Sequence, residues 1–517
     1  MINLTPIARP LMARRTASAR RWENPGGMER TQRAVLGHLL GRGARTLAGE
    51  RLDFGGIRSY EDFAARVPVV GYEEIRPDVE RMLRGEKSIL WPGLVRNFAQ
   101  SSGTSGGKSK FIPITAEGLR ANHYAGTRYA VAFYLGLYPE SRLFGGKSFI
   151  LGGSFANELG ALPRGIRVGD LSATLIREIP AAAEFFRVPG RETALMADWS
   201  AKLPALAEAA IGQDITSISG VPSWFLAVLR AILERAGART IHEVWPNLEV
   251  FFHGGIAFGP YREQYRAITD PAKMRYLETY NASEGFFAAA DSLEAPGMRL
   301  LADSGVFYEF LPADHNPGPG ADPFPRAVPA WKVQPGEVYS LAITSCNGLW
   351  RYAIGDTVRV ESVEPLRISI AGRTKCFINA FGEELMVHNA DAAISAAAAE
   401  TGAEVADYTA APVYAEGGRR GHHQWLIEWS RAPEGGADAF GAALDRHLQS
   451  LNSDYQAKRG GGYFLDGPEI VGLPCGTFDR WLGATGRLGG QRKVPRLAND
   501  RHIADAILKE LSKNSIL

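Results

Sequence analysis

The sequence predicts an α/β protein: a large N-terminal domain of parallel-type sheets with helices plus an antiparallel subdomain, then a small mobile α+β C-terminal domain. Three observations lead there. Between Leu94 and Thr279, short apolar runs alternate with amphipathic helical stretches, and glycine-rich polar loops follow the apolar runs, the pattern of strand–helix units around a parallel sheet. From Glu337, two runs alternate apolar and polar residues with period two, as antiparallel strands do. Beyond Lys375 the elements become short and close-set. The 517 residues suffice for more than one domain, and the boundary is placed at residues 1–374 and 375–517.

In order, residues 1–90 read as helical, with apolar residues at helical spacing in Arg33–Arg42 and Tyr60–Ala65, a break at Val67-Pro68-Val69-Val70, and another helix at Tyr72–Leu83. Leu94–Gln100 and Phe111–Ile114 are strands on either side of a Ser/Gly/Lys loop. Thr115 caps a long helix over Glu117–Leu137. Ser148–Gly152, Ser217–Gly220, Leu248–His253 and Met274–Thr279 are strands; Ala194–Gly212, Trp224–Gly237 and Tyr261–Ile268 are helices. Leu311–Gly336 holds seven prolines and reads as a long loop. Glu337–Thr344 pairs with Leu349–Ile354, which breaks at Gly355 and resumes at Thr357–Val363. Ile368–Ala371 and Cys376–Asn379 flank a Gly372–Lys375 turn. The tail reads as helix 389–400, strand 423–429, helix 438–450, strand 469–473 and helix 500–512. No fixed-period repeat is present.

Apolar residues make up 45% and charged residues 22%, and the net charge is +2, a balance that argues against a polyanionic partner such as nucleic acid. Cys346, Cys376 and Cys475 are sparse and unpatterned, which points to reduced thiols in a cytoplasmic protein rather than a disulfide framework or zinc site. No apolar run approaches 18 residues, so no membrane-spanning helix is expected. Arg9, Arg14, Arg15, Arg20 and Arg21 against Glu23 give a basic N-terminus, read as a solvated helix rather than a targeting segment. A monomer is expected.

The chemistry centres on Ser101-Ser102-Gly103-Thr104-Ser105-Gly106-Gly107-Lys108-Ser109-Lys110. Eight of these ten residues are Ser, Thr or Gly and two are Lys. Glycines let backbone N–H groups converge, hydroxyls add donors and lysine adds charge, the makings of an anion cradle. A Walker A loop would need glycine where Ser102 stands and a helix where Pro113 continues a strand. A nucleophile elbow fits Gly103-Thr104-Ser105-Gly106-Gly107 but also needs a helix next. A featureless Gly/Ser turn would lack the two lysines.

In Tyr280-Asn281-Ala282-Ser283-Glu284, opening from a strand onto a loop, Tyr280 can stack on a base, Ser283 can donate to a phosphate, and Glu284 can hold Mg2+ through oxygen; structural roles for a Tyr and a Glu at a strand end stand beside this. In Trp350-Arg351-Tyr352-Ala353-Ile354-Gly355-Asp356, Asp356 at a strand end can accept two ribose hydroxyls or serve as a turn residue. Gly372–Lys375 can be a hinge, placed at Lys375. Gly490-Gln491-Arg492-Lys493-Val494-Pro495-Arg496 can swing a lysine onto a phosphate or be a solvated basic loop.

Taken together, in this order and spacing, these motifs resemble the adenylate-forming superfamily, which shares the firefly-luciferase fold. Within it the chain resembles the auxin-responsive (Gretchen Hagen) acyl acid amido synthetases and their bacterial relatives. The resemblance runs from Val67–Glu73 through Ser101–Pro113, Tyr280–Glu284 and Tyr352–Asp356 to Leu451-Asn452-Ser453, Gly476-Thr477-Phe478 and Lys493–Arg496. It implies ATP and Mg2+ as cofactors and a small carboxylic acid and an amino acid as substrates. It implies that Ser101, Ser102, Gly103, Thr104, Ser105 and Lys110 hold the β- and γ-phosphates, that Gly254 and Gly255 line the base pocket, and that Tyr280 lies against adenine. Ser283 would bind the α-phosphate, Glu284 the Mg2+ and Asp356 the ribose. Lys375 would be the hinge, and Lys493 the C-terminal-domain lysine that bridges phosphate and carboxylate, with Arg492 or Lys458 as substitutes.

The implied activity is carboxylate adenylation followed by transfer to an amino acid. A thioester-forming acyl-CoA ligase and a catalytically silent acyl-acid binder are the alternatives. An acyl pocket for an aryl or indolic acid is expected near Tyr124, Tyr129, Val221, Trp224 and Phe258, with Arg120 or His123 near its rim.

Overall fold

A computed structural model describes residues 2–514 apart from 102–108, 158, 160, 257, 313–326, 374–376, 416–419, 461–463 and 485–493. The chain divides into two compact units, one built on Met1–Ser101 with Lys110–Thr374 and the other on Lys375–Leu517.

The first unit is organised around a mixed twelve-stranded sheet. Arg275–Ala282 is its pivot. On one edge it pairs in parallel with Val250–His253, and Ile215–Gly220, Lys147–Ile150 and Arg187–Val188 continue that parallel half. On its other edge it pairs antiparallel with Gly285–Ala289, and every further strand of that half is antiparallel. Where the sequence places Tyr280–Glu284 on a loop, Tyr280, Asn281 and Ala282 are the last residues of the pivot strand. Ser283 and Glu284 form a two-residue turn, with Ala282 opposite Gly285. The short apolar Gly285–Ala289 run carries no polar alternation because it is buried on both faces, so period two was not there to reveal it.

Two further expectations are corrected. Leu349–Val363 is one continuous strand through Gly355, so Asp356 lies inside a strand and not at its end. Val306–Pro312 is a strand that takes up the start of the expected proline-rich loop; Val328–Pro329 pairs with it, and residues 313–326 lie outside the described set. Pro312 and Pro329 sit at strand ends, where a missing N–H costs little.

A small second sheet orders Lys110–Ile114, Asn97–Ser101 and Arg167–Gly169. Its first pair is an antiparallel hairpin closed by Ser101 opposite Lys110. The N-terminal helices form for local reasons. Ser59 and Asp62 make a capping box for Tyr60–Arg66. Tyr72–Leu83 turns Tyr72, Ile75, Val79, Met82 and Leu83 inward at helical spacing. They pack with Phe98, Ile112, Phe307, Leu341 and Tyr352 into one core. Helix Tyr124–Leu137 packs Tyr129, Phe133 and Tyr134 with Val250 and Leu277 of the parallel half. It is preceded by a π-helical segment, Gly118–His123, where a plain α-helix is expected from Glu117.

The second unit orders Glu404–Val413, His422–Arg431 and Glu469–Leu473 in a three-stranded sheet beside helices Val387–Thr401 and Gly436–Leu451. Glu404–Val413 had no counterpart in the sequence reading.

Candidate active site

The parallel strands direct their C-terminal ends one way, and those ends carry Gly152-Gly153, Gly220-Val221, Gly254-Gly255 and Ser283-Glu284. In open α/β sheets this edge is where ligands bind. Gly254 is required by close approach: a Cβ there would stand 2.3 Å from Thr279 O. Thr279 Oγ1 in turn donates to His253 O at 3.0 Å, fixing this loop to the pivot strand. A Cβ on Gly255 would lie 3.3 Å from Val221 Cγ2, so two expected site residues from separate loops are neighbours.

The pivot strand brings two more together across 76 residues of sequence. Tyr280 Oη donates to Asp356 Oδ2 at 2.7 Å, with both residues buried. Tyr280 also sets its ring edge-on to Phe287, centroids 5.0 Å apart. Ser283 is half-buried and Glu284 is 6% exposed. The strand bearing Asp356 is braced from behind its own motif. Arg351 Nε and Nη2 each donate to the fully buried Glu309 carboxylate at 2.8 Å, and Tyr60 Oη donates to the same carboxylate at 2.9 Å. Arg351 Nη1 also donates to Ala64 O and Val67 O. Thus Val67–Val70 is a strap: Val70 bonds to the backbone of Arg351 and Ala353.

On the hairpin, Ser101 and Lys110 are half-buried partners, while Ser102, Gly103, Thr104 and Ser105 lie outside the described residues. Phe111 N donates to Tyr72 Oη at 2.7 Å, which anchors the hairpin's second strand to helix Tyr72–Leu83. Burial pushes the Tyr72 hydroxyl up to about 12, so it stays protonated.

Each of the residues expected around an acyl group has protein contacts of its own. Tyr124 Oη donates to Leu175 O at 2.9 Å. Trp224 meets Trp199 edge-on at 5.8 Å. Phe258 is buried, stacked 4.3 Å from the His253 ring, with Tyr276 and Tyr265 also against it. Tyr129, five helical positions from Tyr124, faces away from it and donates to both Asp303 oxygens at 2.9 Å. His123 does not stand at a rim: it is buried, and burial lowers its pKa to about 4, so the ring is neutral. Arg120 is exposed.

In the second unit, Lys375 and Lys493 lie outside the described residues, as does Arg492. Their flanks are firmly held. Phe377 pairs with Met386, and Asn499 bonds to both Asn379 N and Phe377 O. Arg373 pairs with Asp356 in the large sheet. After residue 493, Thr409 Oγ1 donates to Pro495 O, Arg496 O accepts from Ala410 N, and the Arg496 guanidinium lies 4.5 Å from the Tyr408 ring centroid. Lys458 is buried, at 3% exposed. Asn452 caps helix Ser453–Arg459 through Tyr455 N, and the Glu428 carboxylate accepts from Gly476 N and Phe478 N. The Asn452 and Gly476–Phe478 motifs are therefore built into the frame.

The residues that sequence reasoning missed are Asn122 and Asn347, which join the Ser283–Glu284 turn to the helix after the hairpin and to Thr115, a residue expected only as that helix's cap. The one available signal was Asn122, an amide inside an otherwise apolar helical face; Asn347 in Cys346-Asn347-Gly348 looks like any turn asparagine.

Among the described residues no group of three or more His, Cys, Asp or Glu gathers to hold a metal unaided. One buried carboxylate, Glu284, in the turn that Asn347 joins to the residue after the Lys110–Ile114 strand, fits a hard cation that takes its other oxygens from phosphate and water, as Mg2+ does.

Three sequence profiles match the chain: the GH3 family N-terminal domain over residues 27–274, the GH3 family central domain over 299–373 and the GH3 family C-terminal domain over 388–502. Indole-3-acetic acid-amido synthetase GH3.4 of Arabidopsis thaliana is 24% identical, covering 90% of this chain and 88% of its own length. Indole-3-acetic acid-amido synthetase GH3.8 of Oryza sativa subsp. indica is 24% identical over 91% and 88%. Among solved structures, the AtGH3.15 acyl acid amido synthetase in complex with 2,4-DB superposes with a TM-score of 0.58, 18% identity and 93% of each chain covered. A 2-hydroxyisobutyryl-CoA ligase in complex with 2-HIB-AMP and CoA superposes with a TM-score of 0.55 and 15% identity, over 93% of this chain and 92% of its own, a likeness of fold. With all three family domains present in order over most of its length, the chain belongs to the GH3 family.

Proposed function

We propose that this protein is an ATP-dependent acyl acid amido synthetase that adenylates a small, aromatic or indolic, carboxylic acid and passes the acyl group to an amino acid. The observation that carries the reading is the Tyr280–Asp356 bond beside the Ser283–Glu284 turn. Two motifs that the sequence connects to one nucleotide meet at the sheet edge where α/β proteins hold ligands.

The chemistry explains the parts. A carboxylate does not acylate an amine at neutral pH because oxide is too poor a leaving group. Attack of the carboxylate oxygen on the ATP α-phosphorus breaks the bond to pyrophosphate and leaves an acyl-AMP anhydride. The amine then attacks the acyl carbon, and AMP departs with the bonding electrons. The first step brings two anions together, so its barrier is electrostatic and positional. In this reading Ser101–Ser105 and Lys110 hold the β- and γ-phosphates, and Gly254 and Gly255 give the base room. Tyr280 orients Asp356 toward the ribose, and Ser283 binds the α-phosphate. Glu284 would hold Mg2+, which supplies charge neutralisation at the phosphates. Lys493 bridges phosphate and carboxylate, and a hinge at Lys375 carries it in and out. Val221 with Tyr124, Trp224 and Phe258 would shape the acid's surroundings. A monomeric cytoplasmic enzyme is sufficient for this.

The test is the acceptor. With a panel of aryl and indolic acids, AMP release should require an added amino acid. AMP release that depends on coenzyme A instead would replace this reading with an acyl-CoA ligase. Absence of acid-dependent exchange of pyrophosphate into ATP would leave only an acyl-acid binder.

A further inference from the structure

We propose that the side-chain amides of Asn347 and Asn122 are positioning residues that lock the Ser283–Glu284 turn to the phosphate hairpin; this rests on the adenylating reading above. Asn347 is 1% exposed. Its Oδ1 accepts from Thr115 N at 3.1 Å, the residue immediately after hairpin strand Lys110–Ile114, and its Nδ2 donates to Glu284 O at 3.3 Å. One planar amide therefore spans the two halves of the site. Thr115 is fixed in turn: its Oγ1 donates to Cys346 O at 2.6 Å and accepts from Gly118 N at 2.8 Å. The amide occupies space that any side chain at 118 would take, since a Cβ there would come within 1.8 Å of Asn347 Oδ1.

Asn122 grips the other side of the turn. Its Nδ2 donates to Phe286 O at 3.0 Å and to Ser304 O at 2.9 Å, and its Oδ1 accepts from Phe286 N at 2.7 Å. Both amide hydrogens and the carbonyl are satisfied, as a buried asparagine requires. In the ladder between Arg275–Ala282 and Gly285–Ala289, Phe286 stands opposite Asn281, so Asn122 holds the strand just past the Ser283–Glu284 turn. Asn122 lies in the π-helical Gly118–His123 segment, a geometry that recurs at functional sites. Buried hydrogen-bond networks of this kind hold a functional carboxylate to a fraction of an ångström. Neither asparagine needs to touch a reactant; both act through the backbone that carries Glu284.

The experiment is calorimetric binding of α,β-methylene-ATP, whose α–β P–C bond cannot be broken to transfer AMP, to the full chain with excess Mg2+ and with chelator. In the wild type, Mg2+ should tighten binding. In Asn347→Ala and Asn122→Ala that metal-dependent ratio should fall at least tenfold, while metal-free affinity stays within about twofold. Variants that keep the wild-type ratio and lose only thermal stability would overturn the proposal. Hydrogen exchange on the wild type guards against a variant that does not fold. Mg2+ with the analogue should slow exchange at the Thr115 and Phe286 amides, whose acceptors are the two asparagine oxygens; unchanged exchange there overturns the proposal as well. A wild type that binds the analogue without any Mg2+ increment would instead remove the metal role of Glu284, and with it this proposal.

Discussion

Replacing Tyr280 with Phe deletes one oxygen and leaves the ring's packing against Phe287 intact. The lost bond is 2.7 Å long and lies between two residues that are each under a tenth exposed. A hydrogen bond to a charged acceptor contributes about 1.5–3 kcal/mol, more than a neutral pair, because water cannot readily replace the donor in a buried setting. Part of that loss falls on the folded protein itself, and part on the ligand complex if Asp356 is oriented for the ribose. With about 1.4 kcal/mol per tenfold, nucleotide affinity should weaken roughly tenfold. Calorimetric titration with ATP analogue on wild type, Tyr280→Phe, Asp356→Ala and the double variant measures the coupling. Tyr280→Phe should cost little once Asp356 is gone, giving a coupling energy of about 1 kcal/mol or more. Additive effects, or a Tyr280→Phe protein with wild-type affinity, would refute the claim that Tyr280 acts on nucleotide binding through Asp356.

Two further outcomes follow from buried charge and burial. Arg351→Met strips the Glu309 carboxylate of its paired cation in a fully buried setting, and stability should fall by about 3–5 kcal/mol, read by urea unfolding followed by tryptophan fluorescence; a loss under about 1 kcal/mol would mean that water reaches Glu309. His123 has its pKa lowered by burial from 6.5 to about 4, so between those values the unfolded chain binds a proton that the folded chain refuses. Stability should therefore decline as pH falls through that window, by up to about 3 kcal/mol from this group. His253, lowered to about 3 by burial and by nearby Arg262, adds to the same slope. His123→Leu should flatten the decline between pH 7 and 5 in a urea series; an unchanged slope would assign it to other groups.

Much of the fold is legible in local chemistry. Ser59 and Asp62 cap a helix whatever surrounds them, Gly237 ends another in the left-handed conformation, and the apolar runs ending in glycine pairs became the parallel strands. The Ser/Gly/Lys stretch was recognisable because strands bracket it, and Ser101 opposite Lys110 closes that bracket. Less legible was Gly355, where the antiparallel ladder holds Leu349–Val363 continuous although glycine alone suggests a break. Gly285–Ala289 had no alternation to detect because neighbours cover both its faces.

By itself the sequence determined the motifs, their order and the kind of chemistry they serve, because hydroxyls, glycines, lysines and carboxylates have the same bonding capacity in any setting. Tertiary structure alone decided which of them meet. Tyr280 reaches Asp356 because their strands lie in one sheet. Arg351, beside Asp356 in sequence, turns to buried Glu309 and becomes a strut. Tyr129 turns to Asp303 while Tyr124 turns to Leu175, since five positions along a helix point them apart. Asn347 gained its part only where the chain brings Thr115 and Glu284 to the two ends of one amide. Which donor finds which acceptor is a matter of distance, and distance between remote residues is set by packing.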